Sequence, residues 1–96
     1  MVQKHFLSYN PRILNEHERW LKTNGHKGEQ ADLRKFDLAG RDFSFTNFCK
    51  MKIDGHQLFG ISYFHDATVP KSLLPWLSSH PRFAQWMHTL TIVDDD

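Results

Sequence analysis

From Leu33 onward a large apolar residue returns at every fifth position: Leu33, Leu38, Phe43, Phe48, Ile53 and Leu58, with Tyr63 next in line. A repeat of this length fits neither the turn of an α-helix, about 3.6 residues, nor the two-residue alternation of a strand. Neither element would gather these side chains on one face. A chain that turns a corner at every fifth residue would. The residue just before each apolar one is Asp32, Asp37, Asp42 and Asn47, then Lys52 and Gln57. Short Asp and Asn side chains accept hydrogen bonds from the backbone two residues on, which favours turns. The pattern predicts a coil over residues 31–60 whose core is Leu33, Leu38, Phe43, Phe48, Ile53 and Leu58.

Helical signals flank this segment. Asn10 followed by Pro11 reads as a cap with proline at the first helical position. Ile13, Leu14, His17, Trp20 and Leu21 then recur at steps of three and four, and Asn24-Gly25 supplies a stop. A helix is predicted within residues 10–24, its body running from Pro11 to Thr23. Residues 1–9 read as a short strand or an arm. Ile61-Ser62-Tyr63-Phe64 reads as a strand and residues 65–70 as an exposed loop. Residues 71–91 read as helical: a turn over Ser72 to Leu77, then a helix from Ser79 or His80 with Phe83, Trp86, Met87 and Leu90 on one stripe. Asp94-Asp95-Asp96 reads as a solvated acidic tail. The expected fold is α+β, one domain over residues 1–96.

The five-residue units of this region carry a resemblance. Ala31-Asp32-Leu33-Arg34-Lys35, Phe36-Asp37-Leu38-Ala39-Gly40, Arg41-Asp42-Phe43-Ser44-Phe45 and Thr46-Asn47-Phe48-Cys49-Lys50 resemble pentapeptide-repeat proteins. The resemblance covers residues 11–60. It implies a right-handed β-helix fragment of about one to one and a half coils, short for a solenoid and so in need of caps. The N-terminal helix and the C-terminal helices would be those caps.

Chemistry is sparse. Seven histidines lie scattered at His5, His17, His26, His56, His65, His80 and His88 with no pair at metal-ligand spacing, and Cys49 stands alone. His17 and His88 are expected on helix flanks and the other histidines on the surface. No Gly-rich phosphate loop or nucleophile–base motif appears, so the expectation is no enzyme, no cofactor and no metal. No apolar run approaches the roughly 18 residues of a membrane span, and Met1-Val2-Gln3-Lys4-His5-Phe6 lacks a signal core. The expected setting is therefore cytoplasmic.

Charge and aromatics point to partners. The net charge is only +1, too small for a chain held on DNA chiefly through phosphates. Residues 1–50 nevertheless hold nine Lys or Arg against six Asp or Glu. Arg34, Lys35 and Arg41 could therefore form a basic face, and a weak nucleic-acid binder acting through this half is one alternative. Aromatic residues make up 14% of the chain. Trp76, Phe83, Trp86 and Met87 exceed what a cap over one narrow coil needs, and Trp anchors are frequent at interfaces. They are the candidate protein-docking residues, with Arg34, Lys35 and Arg41 beside them.

In length and composition the chain also resembles the small anti-RecBCD proteins of lambdoid phages. That resemblance implies a non-catalytic modulator that binds the host exonuclease–helicase RecBCD in the bacterial cytoplasm and alters its activity in favour of phage recombination. A generic pentapeptide-repeat interaction module with another partner is the other alternative. Val69-Pro70 falls in the expected loop, which makes Pro70 a candidate site for a host prolyl isomerase.

Overall fold

In the computed structural model, which describes residues 10–94, Asn10 Oδ1 accepts the Arg12 amide at 2.9 Å and opens helix α1, Arg12–Lys22. Asn24 and Gly25 close it in the left-handed region, at φ of 54° and 86°, with the Gly25 amide on Trp20 O at 2.8 Å. The chain then returns along the helix. At Gly28 a Cβ would run into Glu16 O, and its φ of +73° is one that side chains rarely adopt. The expected features of residues 1–9 and of Asp95 and Asp96 lie outside the described residues.

From Ala31 the backbone turns at each five-residue step. The amides of Phe36, Arg41, Thr46 and Met51 donate to the carbonyls of Leu33, Leu38, Phe43 and Phe48 at 3.0–3.2 Å. At the same corners Asp32, Asp37, Asp42 and Asn47 each accept the amide two residues on, at 2.9–3.2 Å. Leu33, Leu38, Phe43, Phe48 and Leu58 are all buried. Ile53 is only half-buried, packed against the same cluster.

A second pass of the chain lies parallel to the first. Parallel bridges join Asp32 to Lys52, Asp42 to Tyr63 and Asn47 to Thr68. Leu33 N donates to Lys52 O at 2.7 Å, Gly40 N to Gly60 O at 2.8 Å and Phe43 N to Tyr63 O at 2.9 Å. The offset between bonded partners therefore grows by one residue between Lys52 and Gly60 and is unchanged at Tyr63. That extra residue moves Phe64, rather than Tyr63, into the interior. Gly55–Gly60 is a 3-10 helix at this level. Within it the Gln57 side chain ties the passes together: Nε2 donates to Leu33 O and Phe36 O at 2.8 and 3.1 Å, and Oε1 accepts the Asp54 amide at 2.9 Å. Gln57→Glu keeps the shape but turns a double donor into an acceptor facing two carbonyls. Urea unfolding at neutral pH should show a loss of about 1–3 kcal/mol.

The C-terminal part is less helical than its sequence predicts. Residues 65–70 are not an exposed loop, because Thr68–Pro70 forms strand β1 with Val69 and Pro70 buried. A 3-10 turn at Lys71–Leu73 runs into α2, Leu74–Ser78, with Pro75 in its first turn. The second helix is reduced to α3, Phe83–Trp86, followed by a 3-10 turn at Met87–Thr89. Thr91–Val93 then forms β2, parallel to β1 with Thr68 opposite Thr91. The expected strand over residues 61–64 is a single bridge at Tyr63. The architecture is α+β, with short helices and a two-stranded parallel sheet.

One aromatic column fills the interior. Phe43 stacks on Phe48 at 5.8 Å between ring centres, Phe48 meets Phe64 at 5.6 Å, and Phe64 meets Trp86 at 5.0 Å. Phe83 closes the end with its ring edge-on to Trp86 at 5.7 Å.

Candidate protein-docking surface

Two buried histidines attach the flanking helices to the central segment. His17 Nδ1 accepts the Ala31 amide at 3.0 Å, and Nε2 lies 2.8 Å from Cys49 O. His80 repeats the arrangement, with Nδ1 accepting from Arg82 N at 3.0 Å and Nε2 at 2.9 Å from Ile61 O. A ring that accepts at Nδ1 must carry its proton on Nε2, so both are neutral donors to a carbonyl. Burial also pushes the His17 pKa down, partly offset by the bond to Cys49 O. The expected surface position of His80 is thus corrected, and His17, expected on a helix flank, is buried: each ring satisfies one amide and one carbonyl that sheet pairing leaves over.

The predicted docking residues separate. Trp86 is 0% exposed at the centre of the core and has no face to offer a partner. Phe83 is half-buried against it. The stripe read from the sequence does not persist, because Trp86 itself leaves helical geometry at φ −133°, ψ 5°. Met87 and Trp76 are exposed. On α2, Leu77 points into the core, which sends Trp76 outward to lie over Gly55. A Cβ at Gly55 would run into the indole, so only glycine lets the ring approach so closely. Phe59, outward beside the inward Leu58, stands 6.0 Å from the Trp76 ring. The pair is 41% and 44% exposed.

Other exposed aromatics were not singled out by the sequence. Tyr63 is turned outward by the extra residue before it, with the Arg82 guanidinium 6.0 Å from its ring centre and His65 at 6.2 Å. Phe45 is 74% exposed at a corner of the coil. Its outward direction follows from the five-residue register, since it lies two places past the inward Phe43.

The three basic candidates are all exposed. Arg34 spends its guanidinium locally: Nε and one terminal nitrogen grip both Asp32 oxygens at 2.9 and 2.8 Å. This holds the Asp32 carboxyl far below the usual carboxylate range and raises Arg34. Lys35 and Arg41 do not share that clamp. Pro70 is buried in β1, so an isomerase would have to free the strand first, and the expectation of an accessible site is corrected.

Chemistry stays thin on the surface. Ser44, Asp42 and His65 lie near one another, but Asp42 accepts both the amide and the side chain of Ser44, which lowers the Asp42 pKa. The hydroxyl is thereby engaged by a carboxylate and not by an imidazole that would take up its proton. Among the described residues no three His, Cys, Asp or Glu side chains gather at metal-binding distance, and no helix is long and apolar enough to cross a membrane. No protein-family model, curated protein or solved structure matches the chain.

Proposed function

We propose that this chain is a non-catalytic protein-binding modulator that docks through exposed aromatic side chains. The observation that carries the reading is the Trp76–Phe59 pair, two large, partly exposed rings in contact, with Trp76 seated on a glycine. Exposed aromatics cost solubility, and interface centres are enriched in them. We read residues 31–70 as a short right-handed pentapeptide-type β-helix, on the strength of the repeated corner bonds and the parallel offsets of 20 and 21 residues. Such a core is a rigid spacer whose outer corners can carry contacts without disturbing the interior.

The candidate partner is the host RecBCD exonuclease–helicase, and the site of action the bacterial cytoplasm. Binding to a protein surface would bias that machine through differential affinity for its states, typically about 1–3 kcal/mol of coupling. The Arg34–Asp32 clamp favours this reading over nucleic-acid binding, because a guanidinium already neutralised releases no counterion on meeting phosphate. A generic interaction module with another partner is the runner-up.

The test is titration of purified RecBCD with wild-type protein and with Trp76→Ala, with folding of the variant checked by its melting curve. Wild-type protein should bind and change the nuclease activity, and the folded variant should bind at least ten-fold more weakly, about 1.4 kcal/mol. A folded variant that binds like wild type removes α2 from the interface. Wild-type protein that fails to bind removes RecBCD as the partner.

A further inference from the structure

Phe45 is the wrong residue for its place by every criterion internal to the fold. Among the described residues it is the most exposed of the large apolar side chains, at 74%. Its backbone sits in the left-handed region at φ 64°, a conformation that suits Gly and Asn and that bulky side chains avoid. The geometry itself is needed, since Gly40 and Lys50, five residues away on either side, take φ of 76° and 56°. The corner is fixed by the Phe45 amide donating to His65 O at 2.8 Å, a bond that any residue but proline can make. Nothing in the backbone requires a phenyl ring there, and folding, conformation and solubility all disfavour it.

The ring stands at the edge of a groove of about 320 Å³ between α1 and the coil, lined by Pro11, Leu14, Glu18, Ser44, Thr46 and Asn47. The one charged side chain among the residues lining that groove is acidic. Glu18 lines the same groove, Asp42 lies three residues before, and Asp66 follows the His65 whose carbonyl holds the corner. Of these, Glu18 has a cation at hand, Lys22 at 3.2 Å. A second copy docking on this face would oppose the same carboxylates to each other. The complement is instead an apolar pocket with a basic rim.

We propose that Phe45 is an anchor for a partner protein, seated in an apolar pocket of that partner whose rim carries Lys or Arg side chains facing Glu18, Asp42 and Asp66. The proposal rests on the protein-binding reading above and adds to it a second contact, independent of Trp76. A residue kept for a partner against the interest of the fold has an unusual signature: replacing it improves the free protein and harms the complex.

The experiment uses Phe45→Asn, which accepts the left-handed corner without a large apolar ring, against wild type, with purified RecBCD as the probe. The free variant should melt about 3–8 °C higher than wild type. Its affinity for RecBCD should fall ten-fold or more, and the wild-type affinity should weaken with added salt as a charged rim requires. Equal binding by the two proteins overturns the anchor while leaving the protein-binding reading intact. A lower melting midpoint for the variant overturns it whatever the binding result, since Phe45 would then be serving the fold. Absence of wild-type binding overturns the proposed partner and this use of Phe45 together. Wild-type self-association that Phe45→Asn abolishes would assign the ring to a second copy and equally overturn the proposal.

Discussion

Trp86→Ala is expected to lower the unfolding free energy by about 3–5 kcal/mol, the range for deleting a fully buried aromatic. A chain of this size has about 5–14 kcal/mol to lose, so the variant should be near its folding limit at ambient temperature. The size of the effect follows from where the ring stands. It contacts Phe64 at 5.0 Å, His80 at 5.3 Å and Phe83 at 5.7 Å, joining α3 to the central column and to the histidine that bonds Ile61 O. Its indole N–H is buried with no hydrogen-bond acceptor, an unsatisfied donor among aromatic rings. Trp86→Phe removes that donor along with part of the volume, and the two effects oppose each other. Its expected loss is under about 1.5 kcal/mol. Denaturant unfolding of the two variants separates the accounts. A mild effect of Trp86→Ala would mean that the ring is available to a partner after all.

The second large effect is at His17. His17→Leu keeps much of the volume but leaves the Ala31 amide and the Cys49 carbonyl without partners in a buried place. At about 1–3 kcal/mol for each orphaned group, the expected loss is about 2–5 kcal/mol. The same site sets a pH dependence. Desolvation holds the folded pKa of His17 below its ordinary 6.5, so the folded protein resists a proton that the unfolded chain accepts. The His17 contribution is therefore complete above about pH 6.5 and is lost as pH falls from there through the lowered folded value. Asp32, held low by Arg34, contributes in the same direction but only below about pH 4, where the unfolded carboxylate protonates. Urea midpoints between pH 7.5 and 5 should fall for wild type and fall less steeply for His17→Leu, which has no proton to take up at that position. Parallel pH profiles for the two would contradict the assignment.

The five-residue row could be read from sequence because corner formation is local. Asp32, Asp37, Asp42 and Asn47 bond amides only two residues away, so spacing alone carries their role. The helix start at Arg12, whose amide bonds Asn10 Oδ1 two residues back, is equally local. What failed depends on distant partners. His17 reads as one more member of a helix stripe, since its bonding groups lie 14 and 32 residues on. The extra residue between Lys52 and Gly60 carries no local mark, and it exchanges Tyr63 for Phe64 in the interior. Thr91–Val93 is three residues long and becomes a strand only because Thr68–Pro70 lies beside it. Trp86 shares its helical spacing with residues that do face solvent, so periodicity could not separate the core ring from the exposed Met87. Phe45 was within reach: two places beyond an inward residue, a side chain at such a corner points out.

The central claim is that two successive passes of the chain lie parallel, joined by backbone bonds, over an interior filled by the five-residue row. Amide hydrogen exchange followed by NMR tests it residue by residue. Slow exchange is expected at the amides that cross between the two passes, Leu33, Gly40, Phe43, Phe45, Phe48, Lys52, Ser62 and Thr68. Rapid exchange across this set, with protection confined to residues 12–22, would contradict the account.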